Sequence, residues 1–129
     1  MIRKNISGGS PYEPIIGFSR AVRVGNSVFV AGTGPVGADA LGVAEQTAQC
    51  LTLIATALNQ AGSSIEHVYR TRMYLTATEH WREVARAHGE VFAAVRPAAT
   101  AVIVAGLLDP AWLVEIEAEA LLPGDDTRD

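Results

Sequence analysis

The chain has 129 residues, 49% of them hydrophobic, with a mean hydropathy of +0.20, which fits one domain with an ample core. Ten basic residues against fourteen acidic ones leave a net charge of −4, a balance that argues against a phosphate-backbone partner. A single cysteine, Cys50, excludes an internal disulfide and suits a reducing cytoplasm.

"MIRKNISGGS" carries no apolar run behind its basic residues, so it is not read as a secretory signal. No apolar stretch approaches the roughly 20 residues that span a bilayer, so no membrane partner is expected. "IRKNI" reads as a short strand and "SGGSPYEP" as a turn-rich loop holding Tyr12. In "AVRVGNSVFVAGT" apolar alternation stops at Gly25-Asn26 and resumes, the mark of a two-residue hairpin. "GVAEQTAQCLTLIATALNQAG" spaces Val43, Thr47, Leu51, Ile54 and Leu58 as one helix face, with Gly62 as its terminal glycine.

"VYRTRMYLTA" is a strand, and Thr76 to Glu79 has the spacing of a capping box for the next helix. On that helix Trp81, Val84, Ala85, His88, Val91 and Phe92 share a face, and Pro97 ends it. "TAVIVAGL" and "LVEIEAEALL" are two more strands, joined by a turn around Asp109-Pro110. The order is β-β-β-α-β-α-β-β, which makes an α+β domain over residues 1–122. Two helices cover one face of a mixed, six-stranded sheet. Residues 123–129 read as a disordered acidic tail. "VFVAG" and "AVIVAG" are apolar on both sides, so the uncovered face is expected to meet another subunit.

Glu115, Glu117 and Glu119 alternate along the last strand and point to one side. Arg70, Arg72 and Tyr74 share one side of theirs, so an ionic layer forms if the two sides meet. His67, His80 and His88 show no metal-ligand spacing, and no metal is expected. Cys50 reads as a small buried hydrophobe and His88 as a satisfied core or interface histidine. "GTGPVG" lacks the lysine of a phosphate loop and is read as tight turns beside a ligand.

"SPYEPIIGFSRAVRVGNSVFVAGTGPV", "LNQAGSS", "VYRTRMYLT", "RPAAT" and "LVEIEAEAL" together resemble the RidA family, also called YjgF or L-PSP. The resemblance runs from about Arg3 to Leu122 and implies a chorismate-mutase-like α+β fold. It also implies a homotrimer with small-molecule clefts between subunits. Known members hydrolyse imines and enamines without cofactor or metal, and an endoribonuclease label is attached to the family as well.

Carried over residue by residue, the family tyrosine falls on Tyr12 and its glycine on Gly32, here flanked by Ala31 and Thr33. The glutamate falls on Glu115, the one residue assigned a catalytic role, to hold or polarise water. The helix asparagine is replaced by Ala85, the carboxylate-binding arginine by Ala99, and the residue two further on by Ala101. The arginine that clamps the substrate carboxylate is therefore missing. Arg96, three residues upstream, lies about 10 Å away along extended chain, and its place before proline favours such a chain. Arg72 is a second candidate anion site. For Arg70, Arg72, Glu117 and Glu119 structural ion pairing takes precedence over a role at the site.

The resemblance, taken with these residues, leaves three functions to weigh. The first is an imine or enamine hydrolase whose substrate differs from the usual 2-imino acids. The second is a non-catalytic trimer that binds a small ligand at the same clefts. The third, an RNA-binding or RNA-cleaving protein, has neither a basic groove nor stacking aromatics behind it, with aromatic residues at 6%.

Overall fold

The computed structural model describes residues 2–124. Its elements in chain order are strand β1 (Arg3–Ile6), short helix α1 (Tyr12–Ile16), β2 (Ala21–Val24), β3 (Ser27–Thr33) and helix α2 (Val43–Gln60). Then come β4 (Val68–Leu75), helix α3 (Trp81–Phe92), β5 (Ala98–Ile103) and β6 (Val114–Leu121). The six strands form one sheet in the order β1-β2-β3-β6-β4-β5. Every pairing is antiparallel except β4 with β5, which are parallel and joined through α3 as a crossover. This is the expected mixed α+β sheet with two long helices.

Alternation along β6 sets the two faces of the sheet. Val114, Ile116, Ala118 and Ala120 are buried, while Glu115, Glu117 and Glu119 are half-buried on the other side. Against the buried side lies α2, through Val43, Thr47, Leu51, Ile54 and Leu58, the stripe that spacing predicts. Each of the aliphatic side chains among them contributes about 1.5–3 kcal/mol relative to exposure. The helix ends where Gly62 takes φ +93°, and Gly25, at φ 59°, turns the β2–β3 hairpin so that Val24 faces Ser27.

Several expectations are corrected. The "SGGSPYEP" loop contains helix α1, because the Glu13 carboxylate accepts the backbone N–H groups of Gly8 and Ser10 and folds the segment back on itself. The capping box does not form: Thr76 Oγ1 donates to Leu113 O, and no side chain caps α3. On α3 the buried residues are Val84, Ala87 and Phe92, whereas Ala85 is exposed and Trp81 and Val91 are largely so. The helix packs at the side of α2, so only a narrow stripe is covered.

Arg96 is not extended. It has φ 57°, and its N–H donates to Phe92 O at 2.8 Å, so it closes α3 in the left-handed conformation that glycine usually takes. That conformation costs a non-glycine residue about 1–2 kcal/mol. Of the tail, Pro123 and Gly124 form a turn, and 125–129 lie outside the described residues.

Candidate functional site

Between Val30 and Thr33 the β3–β6 register shifts: Ala31 and Gly32 bulge opposite Glu117. Arg20 meets this bulge from β2's side, its carbonyl accepting Ala31 N–H at 2.9 Å. The Arg20 guanidinium is held by an Nη1 hydrogen bond to Thr33 Oγ1 at 3.2 Å, and Thr33 Oγ1 donates in turn to Ala31 O. From the neighbouring strand Glu115 reaches the same place. A Cβ on Gly32 would lie 2.5 Å from Glu115 Oε2, so glycine lets the carboxylate rest where it does and a side chain there would push it aside.

Here a cleft of about 190 Å³ opens, lined by Tyr12, Phe18, Arg20, Gly32, Trp112 and Glu115, with the Gly8–Gly9 backbone at its rim. It is suited in size to a small molecule. Tyr12 and Trp112 meet edge to face with ring centroids 6.2 Å apart, and the Arg20 guanidinium lies 5.3 Å from the centre of the Phe18 ring. Trp112 is fixed from behind: its Nε1 donates to Asp39 Oδ1, and the fully buried Gln46 side chain bonds Asp39 O, Leu41 O, Ala111 O and Leu113 N.

Burial pushes the Glu115 carboxyl above the ordinary carboxylate pKa, with Arg20 opposing and Glu117 adding to the rise. Burial also lowers the Arg20 pKa, against the pull of the Glu13 and Glu115 carboxylates. The guanidinium remains charged, as arginine does in proteins. Its Nε is buried without a hydrogen-bond partner, and no ion pair engages Arg20 among the described residues.

Of the expected site residues, Tyr12, Gly32 and Glu115 share this cleft, and Thr33 stands behind it as the holder of Arg20. The others lie elsewhere. Arg72 Nη1 is paired with Glu119 at 3.1 Å, and Tyr74 hydrogen-bonds Glu117, so the ionic layer of β4 and β6 exists and occupies Arg72. Arg96 lines a separate hollow with His88 and Phe92. Ala99 and Ala101 are exposed on edge strand β5, in register with Thr71 and Met73. They therefore share the helix side of the sheet, the side opposite Glu115.

His88 bonds Thr71 Oγ1 at 2.9 Å, and burial lowers its pKa, as for a core histidine. Cys50 is fully buried with its thiol pKa pushed up. Among the described residues no three His, Cys, Asp or Glu side chains gather to hold a metal ion, and no helix is long and apolar enough to cross a membrane.

Sequence reasoning missed Arg20, Phe18 and Trp112. Arg20 precedes a strand and looks like a solvated end; only the bulge turns it inward.

Residues 9–122 match the model of the family described as Endoribonuclease L-PSP. An uncharacterized protein of Streptomyces coelicolor, SCO2049, is 39% identical over 121 residues, 91% of this chain and 90% of that protein. A RutC family protein of Pyrococcus abyssi is 32% identical over 84% of this chain and 88% of its own. The crystal structure of Rv2704 of Mycobacterium tuberculosis, described as a YjgF/YER057c/UK114 family member, superposes with a TM-score of 0.88. It is 44% identical, over 94% of this chain and all of that one. With a bulge-built cleft at one end of the sheet and a family match across almost the whole chain, the protein belongs to the L-PSP family, the RidA/YjgF proteins.

Proposed function

We propose that the protein hydrolyses a small imine or enamine, with Glu115 as the catalytic carboxylate, in clefts completed by neighbouring copies of a cytoplasmic homotrimer. The observation that carries this reading is a half-buried carboxylate of raised pKa, pressed against a glycine and facing a fixed guanidinium in a small cleft. Protonated imines are good electrophiles, so the enzyme has mainly to place water and move protons. Glu115 accepts a proton from the attacking water as its oxygen bonds to the imine carbon. It passes that proton to the nitrogen, the C–N bond breaks, and the hydroxyl proton leaves to give the carbonyl compound and ammonium. A carboxylate whose pKa burial has raised is a stronger base than an exposed one, and it can both take and return the proton.

The test supplies imines made in situ by an amino-acid oxidase and follows ammonia release with and without the protein. Acceleration in the parent, absent in Glu115→Gln, supports the reading; no acceleration across aliphatic and aromatic imines overturns it. A second reading, ligand binding without turnover, draws on the alanines at 85 and 99, where the family's substrate-gripping residues would stand. Tight binding of keto acids with no ammonia release would favour it. RNA cleavage, the activity in the family's description, is checked in the same preparations by degradation of a labelled single strand.

A further inference from the structure

We propose that Arg20 is the anion anchor of the cleft, so that the protein takes a substrate bearing a carboxylate even though position 99 is alanine. This rests on the reading of the Glu115 cleft as the reaction site and adds to it the charge its ligand must carry.

The inference comes from how Arg20 is held. Nη1 is tied to Thr33 Oγ1 at 3.2 Å, and the Phe18 ring lies 5.3 Å away, so the fork has a fixed orientation. Yet its charge is not matched. Glu13, the carboxylate that attracts it most, accepts hydrogen bonds from Gly8 N and Ser10 N at 2.9–3.2 Å. Glu115 attracts the guanidinium from beyond ion-pair distance. The buried Nε has no acceptor.

A partly buried cation with no carboxylate at ion-pair distance is costly, and a ligand that brings the missing charge offsets that cost. A carboxylate does so with two acceptors in one plane, which matches the terminal amino groups of the fork, while Nε is closed off from a ligand and adds only to the unmatched polarity of the group. The electrophilic carbon next to that carboxylate would then face the Glu115 side of the cleft.

The other arginines fit worse. Arg72 is taken by Glu119, and Arg96 lines a different hollow. Arg70 also has an unpartnered Nε, but it sits opposite Glu119 in the β4–β6 register and lines no cleft with Glu115.

The test is calorimetric binding of pyruvate and of its uncharged methyl ester to the parent, Arg20→Gln and Arg20→Lys. The parent should prefer pyruvate by about tenfold to a hundredfold, the worth of one hydrogen bond to a charged group. Arg20→Gln should bind both ligands alike, the preference for the charged one being gone. Arg20→Lys should lose about tenfold for pyruvate alone, since it keeps the charge and gives up the fork.

A parent that binds pyruvate no better than the ester overturns the anchor, as does an undiminished preference in Arg20→Gln. If melting curves show Arg20→Gln unfolded, Arg20→Lys decides: parental pyruvate affinity there overturns the proposal. Pyruvate binding through Arg20 without imine turnover would sink the hydrolase reading and leave the anchor standing. Turnover without an Arg20-dependent preference would do the reverse.

Discussion

Two glycines two residues apart at the end of β3, Gly32 and Gly34, offer equal crowding and opposite consequences. A Cβ at Gly32 would stand 2.5 Å from Glu115 Oε2 and 3.1 Å from its Cδ, where ordinary contact begins at 3.4 Å. The carboxylate must retreat by about 1 Å. It ends a flexible side chain beside an open cleft, so the retreat costs about 0.5–1.5 kcal/mol, the scale of an off-rotamer torsion. A misplacement of about 1 Å costs a reacting group roughly a hundredfold in rate. A Cβ at Gly34 would stand 2.5 Å from Trp112 Cζ3 and 2.6 Å from Cε3. That ring is 7% exposed and tied to Asp39, so it cannot step aside, and overpacking costs about 1–3 kcal/mol. Gly32→Ala should therefore melt within a few degrees of the parent while kcat/KM for a hydrolysed imine falls by about a hundredfold. Gly34→Ala should lose melting temperature by roughly 3–5 °C per kcal/mol, along with activity. Parental kcat/KM in Gly32→Ala would refute the placement of Glu115 at the reacting atoms.

Three further outcomes are expected. Burial raises the Glu115 pKa in the folded chain above its unfolded value, so the folded state binds the proton more tightly, and stability falls as pH rises from the ordinary carboxylate range through the raised pKa. Glu115→Gln should thus melt higher than the parent at about pH 7 and no higher at about pH 4; the same difference at both values would show that charge burial is not the cause. Gln46→Leu removes the fully buried amide that now bonds three carbonyls and one N–H, and because the carbonyls belong to exposed residues that water can reach, only part of the set is left unsatisfied. At about 1–3 kcal/mol for each unsatisfied group, it should cost at least 2 kcal/mol or so and change Trp112 fluorescence, and denaturant titration with emission spectra reads both. Cys50 should react with an aromatic disulfide reagent only after denaturation, because burial both hides the thiol and holds it protonated; rapid labelling of the native chain would place the thiol outside the core.

What the sequence made legible was periodic. The α2 stripe, the Gly25 turn and the alternation of β6 are all local rules, and each reappears in the fold. The ionic layer was legible too, because strands of alternating charge have few other ways to meet. Arg96 departs from expectation for a local reason: the rule for a residue before proline favours extended backbone, but the Phe92 carbonyl, at the end of α3, accepts the N–H groups of both Val95 and Arg96, and Arg96 takes the left-handed turn. The site was half legible. Tyr12, Gly32 and Glu115 could be placed by family resemblance, whereas Arg20, Phe18 and Trp112 become neighbours only through the bulge in β3 and the loop that Gln46 pins.

Register also explains why the missing arginine at position 99 does not by itself empty the cleft of positive charge. Within one chain Ala99 pairs with Thr71 on edge strand β5, and Glu115 pairs with Tyr74, on opposite faces of the sheet. A ligand that touched both positions would have to bridge two copies, with β5 of one brought to the β3–β6 end of the next. A clamp at position 99 thus acts across an interface and depends on how the copies dock. Arg20 is under no such constraint: the hydrogen bond to Thr33 and the Phe18 ring hold it within the same subunit as Glu115. Geometry between the two charges is then fixed by one sheet and one bulge, which would set the spacing between a carboxylate on Arg20 and a carbon facing Glu115 more rigidly than a docked edge strand could.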